Sequence, residues 1–372
     1  MIEFIRVQRF KTLMDASFPL AGLNIFSGLN GMGKSSLLQV LLLLRQSFER
    51  HMLLDKGLLL KGDYVSLGTG QDILAEQADN ESIEFLIKWK DISPIIFNFN
   101  YAAENELQPL NKKEIPQVVD YEVIKKRSLF NQNFQYLSAD RISPKTSYEI
   151  SDYYISELNS LGNHGEYTIH YIAEYGTKAI NIQNLKHENS ISNSLIENLD
   201  CWMSEITPSI RIHASLQRQL NSVSLCYAFS NEKNITADFK PQNVGFGLTY
   251  VLPVVTAIIR AKPGDLLIIE NPESHLHPSG QSILGKLCAL AAKGGVQLFI
   301  ESHSDHFING VRVAVKEGFI NNADVHLFYL ERNSSKQHSS NIISPEINEN
   351  GRINIWPQGF FDEADKQLEK LL

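Results

Sequence analysis

Residues 2–27 begin with alternating apolar and polar positions and become continuously apolar toward Leu23-Asn-Ile-Phe-Ser. That pattern predicts short strands leading into a buried one. Gly28 to Ser35 reads as a glycine-punctuated loop, and the leucine-rich run from Ser36 to about Phe48 predicts a buried helix. Strands are predicted at Tyr64-Val-Ser-Leu and at Ser82-Ile-Glu-Phe-Leu-Ile-Lys-Trp. Residues 103–240 are more polar and rich in Asn, Ser and Tyr; within them a helix is predicted near 194–205. A hairpin is predicted from Ser222–Ser230 and Ile235–Phe239 around Asn231-Glu-Lys-Asn. An apolar α/β alternation then resumes: helix 246–261, strand Leu266–Ile269, helix 279–293, strand Val296–Glu301, helix 305–317 and strand Val325–Leu330. A β-rich tail ends in a helix at Asp362–Leu371. Neither a 20–50-residue repeat nor a sustained heptad run is present.

Chain totals narrow the class. A length of 372 residues fits two domains, or one large α/β domain with insertions, and 43% hydrophobic content supports a sizeable core. Forty-two acidic residues against 34 basic ones give a net charge of −8, which argues against a surface wholly devoted to nucleic acid. Cys201, Cys226 and Cys288 lie far apart without a C-x-x-C spacing, so a reducing compartment fits better than a disulfide framework. The longest mainly apolar run, Leu37 to Leu44, is far below the ~20 residues of a membrane span, and the N-terminus reads as a strand. A cytoplasmic protein without membrane association is expected.

Candidate chemistry starts at Gly28-Leu-Asn-Gly-Met-Gly-Lys-Ser35, a full G-x-x-x-x-G-K-[ST] match between a buried strand and an apolar helix. Glycines let the backbone wrap an anion, and the following helix N-terminus adds its dipole. The loop residues Asn30, Gly31, Met32 and Gly33 would form the cradle, Lys34 would meet the β- and γ-phosphates, and Ser35 would ligate Mg²⁺, with Ser36 as a weaker contact. ATP and Mg²⁺ are the expected cofactors.

The second candidate is Leu266-Leu-Ile-Ile-Glu-Asn-Pro-Glu-Ser-His-Leu-His-Pro278. Glu270, ending an apolar strand, would hold a water on Mg²⁺. The next position usually carries the glutamate that polarises the attacking water, and here it is Asn271. A carboxamide orients water but cannot take its proton. Glu273 lies two residues on, past Pro272. Later, Leu298-Phe-Ile-Glu-Ser-His-Ser304 reads as another buried strand with His303 at its mouth, a candidate γ-phosphate sensor. His275 and His277 have no third partner that would suggest zinc.

Taken in order, these segments, with Val244-Gly-Phe-Gly-Leu-Thr-Tyr-Val-Leu-Pro between them, resemble the ATPase heads of ABC type in the RecF, SMC and OLD-like branch. More narrowly the chain resembles compact prokaryotic AAA family ATPases ending in a small domain of unknown function. Tyr136-Leu-Ser-Ala-Asp-Arg-Ile-Ser-Pro-Lys, Gly162-Asn-His-Gly-Glu and Gly351-Arg-Ile-Asn-Ile-Trp-Pro-Gln-Gly-Phe-Phe carry that likeness. The resemblance implies an α/β P-loop NTPase fold of ABC head type, with a mixed sheet, helices on both faces and an inserted smaller lobe. It implies a core of 1–102 and 241–330, an inserted lobe at 103–240 and a small tail domain at 331–372. By the same likeness Gly247 and Thr249 belong to a signature loop that meets a nucleotide on a second subunit. Gln71 would be the glutamine-loop metal contact, His303 the switch histidine, and His277 would fall at the D-loop where two subunits meet. Arg9 and Lys11 would stand near the nucleotide.

The implied function is an ABC-type ATPase that closes as a homodimer, or a higher even oligomer, on ATP and regulates a separate effector protein, a nuclease or toxin. Prokaryotic anti-phage defence or DNA maintenance is the implied setting. Hydrolysis is expected to be slow, with Glu273 or His303 as the base. The segment from Ser304 to Leu372 is too short for an OLD-type nuclease domain, and 50–240 lacks heptads for an SMC coiled coil. A DNA-binding structural clamp is the alternative, using Lys112-Lys, Lys125-Lys-Arg and Lys145 as its basic groove.

Overall fold

The computed structural model describes residues 1–29, 31–112, 120–230, 235–334 and 337–371. They divide into two compact units, the first made of 1–131, 326–346 and 353–372 and the second of 132–325 and 347–352.

In the first unit β1 (Ile2–Phe10) and β2 (Leu13–Pro19) form a tight hairpin that pairs Phe10 with Leu13. β3 (Leu23–Gly28) is buried along nearly its whole length, including the polar Asn24 and Ser27. α1 (Lys34–Glu49) buries all faces rather than one stripe, so its leucines serve as core in every direction. β4 (Gly57–Leu59), β5 (Ser82–Trp89), β6 (Ile95–Asn100), β7 (Leu107–Pro109) and the short α2 (Tyr121–Ile124) complete this stretch. β2, β1, β5 and β6 lie in that order as an antiparallel sheet, and β4 pairs with β7.

The predicted strand at Tyr64–Leu67 does not form; only an isolated bridge joins Lys61 and Ser66. The Gln46 carboxamide explains the difference, because it bonds the Val65 amide at 3.2 Å and the Leu59 carbonyl at 2.8 Å. The segment otherwise folds back on 60–62, with the Leu67 amide on the Leu60 carbonyl at 2.9 Å and the Gly62 amide on the Val65 carbonyl at 3.1 Å.

In the second unit β8 (Phe134–Leu137), β12 (Leu266–Glu270) and β13 (Gln297–Glu301) form a parallel sheet with β12 in the centre. β9 (Tyr148–Glu149), β10 (Ile210–Gln217) and β11 (Ser222–Phe229) make a small antiparallel sheet. The helices are α3 (Thr168–Tyr175), α4 (Leu195–Ile206), α5 (Phe246–Ile259), α6 (Pro278–Lys293) and α7 (Asp305–Lys316). α6 and α7 approach so closely that a Cβ at Gly285 would stand 2.2 Å from the Phe307 carbonyl, and one at Gly310 2.0 Å from that of Ser282.

The predicted hairpin is altered here. β11 pairs along its length with β10, a strand that the sequence pattern does not announce. Residues 235–239 contribute only the bridges Ser230–Ile235 and Tyr227–Phe239, and the turn at 231–234 lies outside the described residues.

The chain then returns to the first unit with β14 (Val325–Ser334), β15 (Gln337–Ile343) and α8 (Glu363–Leu371). β14 and β15 are antiparallel, and β14 neighbours β3. Phe26 and Phe328 stack across that pair, with ring centroids 5.1 Å apart. Among the described residues no helix is long and apolar enough to cross a membrane.

Candidate functional site

The loop after β3 is shaped by its glycines. Gly28, Gly31 and Gly33 all have positive φ, and a Cβ at Gly28 would stand 2.2 Å from the Leu330 carbonyl. Gly33 caps α1 in the left-handed conformation, so the helix starts at Lys34 with first-turn N–H groups that have no acceptor in the helix itself. Around that start lies a cavity of about 430 Å³, lined by Gly31, Gly33, Lys34, Ser35 and Ser36 together with Lys11, Thr12, Gln39 and Asp72. Nothing stands within 4 Å of where a Gly31 Cβ would be. An open cradle, a helix N-terminus, a lysine and a serine hydroxyl together fit a nucleoside phosphate with its magnesium ion.

Lys34 is nearly buried and its ammonium donates to the Leu29 carbonyl at 2.8 Å, which folds the side chain back over the loop. Met32 contributes its main chain, whose carbonyl accepts from Ser340 at 2.9 Å. Asn30 lies outside the described residues. Lys11, in the β1–β2 turn, donates to Gln39 at 2.8 Å; burial lowers its pKa and the nearby Asp72 raises it in part. Arg9 instead binds Ser82, through its carbonyl at 2.7 Å. Gln71 is exposed and does not line the cavity, whereas Asp72 does.

The second unit assembles the acidic strand end. Glu270 terminates β12; its Oε1 accepts from the Tyr136 hydroxyl at 3.0 Å and its Oε2 from the Ala139 amide at 3.1 Å. Burial, and then Glu270 itself, push the Tyr136 phenol well above its usual range, so it remains a donor. Arg141 donates to the Glu270 carbonyl and to the Asn271 carbonyl, each at 2.6 Å, and lies 4.2 Å over the Tyr250 ring. Asn271 is left-handed with φ 43, a conformation asparagine tolerates better than most residues, and among the described residues its Oδ1 has no hydrogen-bond partner.

Glu273 is 7% exposed. Its Oε1 accepts from the His303 amide at 2.7 Å, and burial raises its pKa against the pull of that amide, the Ser302 hydroxyl and Arg141. The His303 side chain is exposed, so of the two candidate bases only the imidazole meets solvent. Glu270, Asn271 and Glu273 thus lie at the end of β12 and His303 just past the end of its parallel neighbour β13, with the Asn271 amide donating to the Glu301 carbonyl at 2.8 Å.

Gly247 and Thr249 sit in the first turns of α5. A Cβ at Gly247 would stand 2.3 Å from the His275 carbonyl, so its glycine serves a close backbone approach. Thr249 is fully buried and shares a hydrogen bond with Tyr227 at 3.2 Å. Gly245 and Phe246 are the exposed residues of this segment. His275 packs against the Phe246 and Tyr250 rings, and His277 caps α6 through Ser279.

The Tyr136–Lys145 segment carries part of the family likeness, but the roles of Tyr136 and Arg141 emerge only in the fold. A tyrosine near the end of a short strand and an arginine five positions later are the signal the sequence offers. Of the proposed basic groove, Arg127 is bound by Asp91 at 2.6 Å and Lys125 by Glu122 at 2.6 Å, while Lys113 lies outside the described residues. Those pairings neutralise two of the cations a DNA groove would need.

Residues 23–309 match the family model described as "AAA domain, putative AbiEii toxin, Type IV TA system". Residues 320–371 match a model for a protein of unknown function, DUF3696. Among solved structures the fold is similar to an SMC head bound to the C-winged helix domain of ScpA, at 12% identity and TM-score 0.50, covering 93% of this chain and 98% of that one. An SMC head domain from Thermotoga maritima aligns at 11% identity and TM-score 0.46, covering 92% and 98%. An SMC head with an extended coiled coil, bound to the C-terminal domain of ScpA derived from Pyrococcus furiosus, aligns at 13% and TM-score 0.49, covering 100% and 99%. A search of curated proteins found none that matches the chain. The α/β fold is that of a P-loop ATPase head.

Proposed function

The chain belongs to the AAA-domain family described as putative AbiEii toxin of type IV toxin–antitoxin systems, and on that premise we propose that it binds ATP with magnesium and hydrolyses it slowly to regulate a separate effector protein. The observation that carries this reading is the cavity at the start of α1, built from left-handed glycines, Lys34 and Ser35. In this reading Lys34 and the loop amides bind the phosphates, Ser35 ligates the magnesium ion and Glu270 holds one of its waters. Magnesium supplies charge neutralisation when bound.

His303 takes the proton-accepting role at the γ-phosphate, and Glu273 positions it through the 2.7 Å bond to its amide. The exposed imidazole and the enclosed Glu273 oxygens favour that division of labour. Hydrolysis is slow because Asn271 stands where a carboxylate would accept the proton. The exposed Gly245–Phe246 start of α5, with His275 and His277, forms the face that meets a second copy when ATP is bound. Prokaryotic defence is the setting, in keeping with the family's toxin–antitoxin description.

The test is mass measurement by light scattering, with and without ATP and Mg²⁺, on the wild type and Lys34→Ala. A larger particle only for the wild type with ATP is expected. The same monomer in every condition would remove the dimerisation reading, and unchanged ATP binding by Lys34→Ala would remove the phosphate-loop reading.

A further inference from the structure

The second unit contains another cavity, of about 280 Å³, lined among others by Asn159, Tyr171, Tyr175, Lys178, Arg260 and Lys262. Lys262 precedes the first residue of β12, whereas Glu270 is its last, so this cavity and the acidic strand end lie at opposite ends of one strand. Three lining residues are cationic and none is acidic, in a chain whose net charge is −8.

Arg260 is the centre of the cluster and is only 9% exposed. Its Nη1 donates to Asn159 Oδ1 at 3.0 Å, and its Nη2 to Gln135 Oε1 at 2.8 Å and to the Asn159 carbonyl at 3.1 Å. Among the described residues its Nε has no acceptor, and the guanidinium lies 4.9 Å over the Tyr171 ring. Every one of these partners is neutral. A buried guanidinium without a carboxylate is costly, because amide oxygens and a ring face return only part of the lost hydration.

The other two cations add to the imbalance. Lys178 sits 3.8 Å over the Tyr175 ring, and the Lys262 side chain forms no ion pair among the described residues. Asp265 is the nearby carboxylate. It does not line the cavity and accepts from the Lys262 amide at 2.9 Å; burial raises its pKa, against the pull of that amide and of the Arg260 and Lys262 charges.

We infer that this cavity binds the phosphate group of a small phosphate monoester. The phosphate supplies the counter-charge that Arg260, Lys178 and Lys262 lack, and the two tyrosines wall the organic part. A guanidinium in the cavity wall and two exposed ammonium groups suit a compact dianion. The volume lies at the small end of ligand pockets, roughly 300 Å³ upward, which suits a single ester rather than a polymer.

The experiment uses the full chain carrying Lys34→Ala, so that the phosphate loop contributes little in any arm. Inorganic phosphate and AMP are titrated calorimetrically at constant ionic strength set with chloride. Saturable binding of at least one probe is expected, weakened at least tenfold when Lys178→Ala and Lys262→Ala are added. Both lysines are exposed, so their removal leaves the Arg260 packing in place, and a melting curve checks the fold. AMP binding tighter than phosphate would assign the tyrosine wall to the ester. No saturable binding in Lys34→Ala, or undiminished binding in the triple variant, would overturn the inference. Because Lys34 is absent throughout, neither result depends on whether the chain hydrolyses ATP.

Discussion

Nη2 of Arg141 donates to the main-chain oxygen of Asn271 at 2.6 Å. Its Nη1 holds the Glu270 carbonyl at the same distance, so one guanidinium fixes the turn that follows β12. Arg141→Ala would leave both carbonyls without that donor and the Tyr250 ring uncovered. Charged hydrogen bonds of this kind contribute about 1.5–3 kcal/mol each, so a loss of about 3 kcal/mol in urea-unfolding stability is expected. Arg141→Lys should recover less than half, since an ammonium cannot span both oxygens.

Asn271→Glu tests the missing carboxylate. If proton acceptance limits the rate, phosphate release should rise about tenfold or more. The φ of 43 adds a cost of about 1 kcal/mol for glutamate in the left-handed region. Asn271→Asp, shorter and better tolerated there, separates backbone strain from chemistry. A glutamate variant no faster than wild type would mean that another group already takes the proton, and His303→Ala should then be the damaging change.

Gly247→Ala is expected to destabilise the chain by about 2 kcal/mol, as overpacking a close contact typically does. The added carbon would stand 2.3 Å from the His275 carbonyl, and that carbonyl is main chain. Thermal melting checks it. A variant as stable as the wild type would show that the turn at His275 yields.

Asp200 gives a pH signature. Burial pushes its carboxyl up to about 6, against the downward pull of the Ile212 amide and Arg211. A folded value above the unfolded one makes its contribution full below the ordinary value near 3.8, and that contribution is lost as pH rises through about 6. Asp200→Asn removes the titration. Its stability relative to the wild type should therefore rise across that interval, by up to about 3 kcal/mol in all. Urea midpoints at several pH values measure the gap, and a constant gap would contradict the assignment.

Segments with one strong period were legible in the sequence. α1, α5, α6 and α7 are leucine-rich, valine-rich or sharply amphipathic, and β3, β12 and β13 are short apolar runs between polar ends. β10 escapes such a reading because its alternation of Ile210, Ile212 and Ala214 with polar residues lies in a polar stretch and acquires meaning only opposite β11. Tyr64–Leu67 has a strand's composition but folds back on residues 60–62 in a turn, with Gln46 taking the Val65 amide. The phosphate loop was readable because its chemistry uses consecutive residues. Tyr136, Arg141 and Gln39 show no role in the sequence, since each acts on a residue brought close only by folding. The same holds for the cluster at Arg260, whose oddity is the lack of a carboxylate in three dimensions.

Glu270 already accepts two hydrogens, one from Tyr136 and one from Ala139, before any cation arrives. An oxygen so engaged has less electron density to give a bare ion, yet it keeps a lone pair for a hydrogen on that ion's hydration shell. If Glu270 takes the proposed role, the carboxylate would act on a metal-bound water rather than on the ion itself, and its preference among divalent metals would follow how firmly each holds its water rather than ionic radius alone.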